Sequence, residues 1–445
     1  MGWVSRPGSL SFPASEPATV CHTGYRFASS GYFAWTERPS QISGWGTVDR
    51  VVVATTAGER VRGEIDRLVH RGLGSRDFAL ALARSLRRAV PYDGVCVLTI
   101  DPATHLPTSD LSLNALPADA LPRLTEIEIR ETDYNKFTFL TRSGQFAASL
   151  SDVTAGDLEK SLRQRELRRP NGFEDELRAV FSDATGTWGA LTLLRETKGA
   201  HFTSGEVGFI ASLAGTLARG LRSAMLLGDR AAGRVADDTG LLVLAPDNTV
   251  EMTNGAADRW LDELRPSDKS TTQLPTAVRA VASRTRRIAD HEGGESSGDA
   301  GNDESGTGAG LGVATVRARA CTGRWVVVRG SLLGDGTGAR VAVLLEAARP
   351  PEMAPLIADA YGLTERERRV TELVAKGLST TEIAEQLHLS AYTVQDHLKS
   401  IFDKSGTGSR GDLVARLFFD YYAPRLAATT NASDDYDDAS STAKG

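Results

Sequence analysis

The side chains best placed to do chemistry lie near the C-terminus, where Tyr392, Gln395, Asp396 and Lys399 recur at spacings of three and four. That spacing puts all four on one face of a helix, while Val394, Leu398 and Ile401 at i, i+4 and i+7 form an apolar face turned inward. A glutamine amide can hydrogen-bond adenine and an aspartate can accept from cytosine, so the exposed face has the chemistry of base recognition in a major groove. Catalytic patterns are missing by comparison. No GxSxG elbow, Walker loop, HD pair or Cys–His arrangement stands in a persuasive context, and GTGAGLG lacks the GxGxxG spacing and sits in an acidic Gly/Ser-rich stretch. His70, His105 and His201 have no ligand spacing, and Cys21, Cys96 and Cys321 form no CxxC pair. No catalytic residue, metal or cofactor is expected, and the chain is not read as an enzyme.

The elements that position this face carry their own boundary signals. Thr364 with Glu367 makes a capping box, Val370, Leu373 and Val374 form a stripe, and Gly377 supplies a left-handed stop. Ser379 with Glu382 repeats the box for a short helix whose Ile383, Ala384 and Leu387 face inward, and Ala384 leaves room for a close helix crossing. His388-Leu389-Ser390 is the turn, where a histidine tolerates a left-handed conformation better than a β-branched residue, and Ser390 caps the next helix. Ser409 caps a fourth helix whose Leu413, Leu417 and Tyr421 make a stripe too apolar for free solvent, which suits a dimer contact.

Residues Leu363 to Ala415, with LTERE, GLSTTEIAEQL, LSAYTVQDHLKSIFDKSG and SR, resemble the C-terminal DNA-binding domain of LuxR-type (GerE-like) regulators. The resemblance implies an all-α, four-helix domain whose third helix reads DNA and whose fourth pairs subunits. It makes Gln395, Asp396 and Lys399 base-facing, sets Thr380, Thr381, Tyr392, Thr393 and Lys404 near phosphates, and matches His397 to a recurrent family histidine. Double-stranded DNA, a second copy of the chain and RNA polymerase are the implied partners. Two positions depart from the pattern: Gln395 stands where the family often has Lys, and Ser405 follows Lys404 where it often has Leu. Basic and acidic residues nearly cancel across the domain, so phosphate attraction should be modest and binding should depend on dimer formation or a partner protein.

The rest of the chain reads as a multidomain array of α+β modules. Residues 1–56 show neither helical nor strand periodicity and are expected to be disordered or irregular. In 57–228, SRDFALALARSLRRAVP is an amphipathic helix, GVCVLTI a strand, GFEDELRAVFSDATGTWGALTLLRE a hairpin and FTSGEV the start of a capped helix. This order resembles a GAF domain. In 237–348, TGLLVLAPDNTVEMTNGAADRWL gives two strands and a helix, and three strands follow an insertion, 290–311, expected to be disordered. That segment resembles a reduced PAS domain. A linker (349–360), the helix-turn-helix domain (361–426) and a polar tail (427–445) complete the order.

Within the GAF-like region, Asn135-Lys136-Phe137 has the start of a motif found in cyclic-nucleotide-binding GAF domains, but LTRSG follows where an acidic pair should stand. The plainer reading is that Phe137 packs in the core and Asn135 caps or turns the chain. Cys96, in VCVL, is either a redox or attachment thiol or a buried structural one, and no basic neighbour favours the first. Trp188 and Trp325 read as core or dimer packing. The sensor-like modules leave room for a small-molecule ligand of unidentified chemistry.

With 445 residues, 41% hydrophobic, the chain can bury several cores, and no apolar run approaches a membrane span. The start lacks a secretory h-region and the cysteines lack a disulfide pattern, so a reducing cytoplasmic location is expected. The formal charge of -6 argues only weakly against nucleic acid, because a small module can be basic on an acidic protein. The alternative is a signalling adaptor that binds protein partners with little intrinsic DNA affinity.

Overall fold

Phe78, Leu82 and Leu86 recur at every fourth position, and they form the buried stripe of a helix, Ser75–Leu86. The same logic organises the rest of the computed structural model, which describes residues 45–196, 199–227, 238–265, 273–292, 313–334, 336–349, 352–353, 356 and 361–414. The helices are α1 (Trp45–Val69), α2 (Ser75–Leu86), α3 (Leu121–Ile129), α4 (Phe137–Ser143), α5 (Leu150–Val153), α6 (Ser204–Ser212) and α7 (Ala214–Leu227). They are followed by α8 (Gly255–Leu264), α9 (Thr276–Glu292), α10 (Glu365–Ala375), α11 (Thr380–Leu387) and α12 (Ala391–Ser405). Among the described residues no helix is long and apolar enough to cross a membrane.

The first sheet contains β1 (Gly94–Ile100), β2 (Pro107–Leu113), β3 (Ala147–Ser149), β4 (Phe173–Asp183) and β5 (Gly186–Glu196), in the antiparallel order β2-β1-β5-β4-β3. β4 and β5 form the hairpin expected from their sequence, closing at the Asp183–Gly186 pair. Both faces of this hairpin are buried. Leu177, Ala179, Phe181, Leu191 and Leu193 join the α2 and α7 core, whereas Val180 and Ala190 pack with Phe137 and Leu140 of α4. The Thr203–Glu206 capping box starts α6 as its spacing predicts.

The second sheet contains β6 (Gly240–Leu244), β7 (Val250–Thr253), β8 (Ala314–Arg319), β9 (Trp325–Leu333) and β10 (Arg340–Ala347). Its order, β7-β6-β10-β9-β8, repeats that of the first sheet, so the chain has two antiparallel α+β domains ahead of its helical C-terminal domain. Helices α8 and α9 supply Trp260, Ala277, Val278 and Val281 to the core of the second domain.

Two expectations need correction. Residues 45–56 belong to α1 and are not irregular: the helix runs from Trp45, and its later turns are fixed by burial of Val61, Ile65 and Leu68 against the first domain. The insertion expected over 290–311 begins inside α9, which continues to Glu292, and residues 293–312 lie outside the described residues. The N-terminal extension up to residue 44 and the tail at 427–445 also lie outside them.

The two α+β domains are joined by a buried ion pair. Asp101, just past β1, accepts from Arg317 of β8 through Nη2 at 2.5 Å, Nε at 3.1 Å and the backbone N at 2.9 Å. Arg317 Nη1 also donates to the Glu352 carbonyl at 3.1 Å, which ties the chain leading to α10 into the same joint. Asp101 is 1% exposed, so removing its charge strands a buried guanidinium. We expect Asp101→Asn to cost about 2–3 kcal/mol. Calorimetry should show a transition lowered by several degrees, and an unchanged thermogram would refute the importance of this joint.

Candidate nucleic-acid interface

Helices α10, α11 and α12 each start at a local hydrogen bond, and a further helix begins at Arg410. The Thr364 backbone N donates to Glu367 Oε2 at 2.6 Å, while Thr364 Oγ1 accepts from the Glu367 backbone N at 3.3 Å. Ser379 and Glu382 repeat this exchange at 2.6 and 3.3 Å before α11. His388 ends α11 in the left-handed region, φ 53 and ψ 47, and Gly377 (φ 85) and Gly406 (φ 64) end the neighbouring helices in the same way. Ser390 Oγ accepts from the Thr393 backbone N at 3.1 Å and starts α12. Val370, Leu373, Val374, Ile383, Ala384, Val394, Leu398 and Ile401 form the buried centre of the three-helix unit.

This scaffold leaves Tyr392, Gln395, Asp396 and Lys399 uncovered on α12, with Tyr392 73% exposed. Thr381 on α11 is also exposed, whereas Thr380 and Thr393 are half-buried. The Thr393 hydroxyl is 2.8 Å from Ser390 Oγ, so it contributes to the cap. His397 is half-buried beside the face.

Lys404 is exposed, and it also has a partner within the domain: its Nζ lies 2.5 Å from Glu367 Oε2. Glu367 Oε1 also accepts from Ser400 Oγ at 2.6 Å. Burial raises the Glu367 pKa, but the bonds from Lys404, Ser400 and Thr364 outweigh it and hold the carboxyl at about 2. One carboxylate thus caps α10 and clamps it to α12. The capping box revealed its first role, and nothing local revealed the second.

Ser405, where the family pattern often has Leu, is buried and donates to the Ile401 carbonyl at 2.7 Å. Its oxygen is also 2.8 Å from Thr407 Oγ1, so a satisfied hydroxyl takes the place of an apolar side chain. Ser409 Oγ accepts from the Asp412 backbone N at 3.0 Å, as expected of a cap. Leu413 is 1% exposed and belongs to the domain's own core, which corrects its expected role at a dimer contact. Leu417 and Tyr421 lie outside the described residues.

In the α+β domains, Asn135 turns the chain at φ 51 and its side chain donates to the Ser149 carbonyl at 3.2 Å. Phe137 is buried and Trp188 is fully buried, while Cys96 is half-buried and accepts from Ser112 Oγ at 3.4 Å. Among the described residues no group of three or more His, Cys, Asp or Glu side chains could hold a metal ion.

Three capped helices with an exposed polar face on the third, α12, define a helix-turn-helix domain. Residues 362–417 match the family model described as bacterial regulatory proteins, luxR family, and this C-terminal domain is a LuxR-type helix-turn-helix domain. The transcriptional regulatory protein DesR of Bacillus subtilis is 32% identical over 96 residues, covering 20% of this chain and 48% of DesR. The transcriptional regulatory protein UhpA of Escherichia coli is 41% identical over 56 residues, covering 13% of this chain and 29% of UhpA. The chain therefore spans about half or less of the length of these curated relatives. Among solved structures, the GAF domain/HD domain protein from Geobacter sulfurreducens aligns with 34% of this chain and 94% of its own at 21% identity. Its TM-score of 0.26 is too low to bear on the fold.

Proposed function

We propose that the protein is a DNA-binding transcription regulator in which α12 enters the major groove. The observation that carries this reading is the exposed Tyr392, Gln395, Asp396 and Lys399 face on a LuxR-type domain. Gln395, Asp396 and Lys399 meet base edges, and Thr380, Thr381, Tyr392 and Thr393 lie toward the backbone. The protein acts as a homodimer whose pairing surface follows Ser409, and the two α+β domains set the spacing of the two reading heads. RNA polymerase is the partner such a regulator would engage. Footprinting on the region upstream of its own gene tests this: the intact protein should protect a defined site, and uniform protection of unrelated DNA would overturn it.

The pairing of Lys404 with Glu367 favours one competing reading, an adaptor whose C-terminal domain docks protein. Salt separates the two. A DNA binder loses affinity linearly in log salt, with a slope of about -0.9 per phosphate neutralised. We expect a clear but shallow slope, because few cations on this face are free. A flat dependence would favour the adaptor.

A further inference from the structure

A cavity of about 80 Å³ lies in the joint between the two α+β domains, bounded by β1, β2, α3, α4 and the first turn of α9. Most of its wall is apolar, supplied by Leu98, Leu116, Leu121, Leu124, Ile129 and Phe137. Two arginines interrupt that wall. Arg178, on β4, is 3% exposed and stacks over the Phe137 ring at 3.6 Å. Its Nη2 lies 2.8 Å from Glu128 Oε2, a charge contact, while its buried Nε and Nη1 donate to nothing among the described residues. Arg279 comes from α9, in the other domain. Its Nη1 donates to the Leu274 carbonyl at 2.5 Å and its Nη2 to Thr276 Oγ1 at 3.1 Å, and its buried Nε has no hydrogen-bond partner among the described residues.

The carboxylates nearby leave these donors unmet: Glu128 meets only Arg178 Nη2, and Glu176 Oε1 lies 3.8 Å from Arg178 Nε, beyond hydrogen-bond distance. Asp110 accepts from Thr276 Oγ1 at 2.5 Å and from Ser112 Oγ at 3.1 Å, and Glu128 Oε1 accepts from the Phe137 backbone N at 2.9 Å. Arg168, also on the wall, is taken by Glu176 at 2.9 Å. Three buried donors on two guanidiniums are costly when unmet, and folded proteins keep few of them. A guanidinium pairs best with a planar carboxylate, and the remaining wall favours a hydrocarbon body.

We propose that this cavity binds a small organic monocarboxylate, its charge received by Arg178 and Arg279 and its apolar body by the leucines and Phe137. Because Arg178 and Arg279 belong to different domains, the bound acid stiffens the joint between them. The proposal stands whether or not α12 reads DNA.

Titration calorimetry on the full chain with acetate, propionate and butyrate, acids small enough for a cavity of about 80 Å³, each against its neutral amide, is the test. At least one acid should bind with its amide about tenfold weaker or more. Arg279→Met should weaken that acid by a similar factor while the circular dichroism spectrum stays unchanged. Leu124→Trp, which fills the cavity from α3 and keeps both arginines, gives a second route if Arg279→Met fails to fold, and it too should abolish binding. Equal binding of acid and amide, binding undiminished in both variants, or no binding of any of the three acids at millimolar concentration would each overturn the proposal.

Discussion

Glu367→Ala should unfold the helix-turn-helix domain under conditions where the α+β domains stay folded. The substitution removes the α10 cap, the Ser400 bond and the Lys404 ion pair together, because all three converge on one carboxylate that is 4% exposed. Cap loss costs about 1 kcal/mol, the Ser400 bond to a charged group about 1.5–3 kcal/mol, and the pair with the partly exposed Lys404 less than about 1 kcal/mol, so a loss of roughly 3 kcal/mol is expected. Hydrogen exchange read by mass spectrometry would show it as faster exchange of amides in α10 and α12, and protection equal to the parent would refute it. The same carboxyl makes the domain acid-sensitive. Its pKa is depressed to about 2 in the folded chain, so the stabilisation is fully present above the ordinary carboxylate value and is lost as pH falls through about 2. The depression amounts to roughly 3 kcal/mol, and Glu367→Gln should flatten the stability profile in that window.

The second large effect belongs to the exposed face of α12. Gln395→Ala combined with Lys399→Ala should reduce affinity for the specific site by roughly a hundredfold or more, since each base contact is worth about 1–3 kcal/mol. Both side chains are exposed and neither contributes to the domain's buried centre, so stability should change by less than about 0.5 kcal/mol. Gel shifts on the footprinted site, alongside a thermal melt, separate lost recognition from lost folding. Specific binding that survives the double substitution would move the reading head away from α12.

Much of the C-terminal domain was legible because its signals are local. A capping box spans three residues, an apolar stripe spans two turns, and a left-handed histidine needs only its own dihedral angles, so Thr364, Ser379, His388 and Ser390 could be placed from spacing alone. Strands β4, β5, β9 and β10 were equally readable, with long β-favouring runs bounded by short turns. Helix α9 was missed. Its buried stripe is built from Ala277, Val278, Ala280, Val281 and Ala282, small side chains that carry little hydrophobic contrast beside four arginines and an acidic stretch. They are buried because the sheet surface comes close, and only the tertiary fold supplies that surface.

The sequence by itself determined where the helices of the C-terminal domain begin and end, which face of α12 is polar, and that a LuxR-type domain follows α+β modules. Tertiary structure alone decided which charges meet. Lys404 reaches Glu367 across 37 positions and Arg317 reaches Asp101 across 216, and a chain closing loops of that length carries no periodic mark of its partner. Burial then fixes the meaning of each charge: Glu367 is a buried carboxylate that needs a counter-charge, and Lys404 supplies it from the domain's surface.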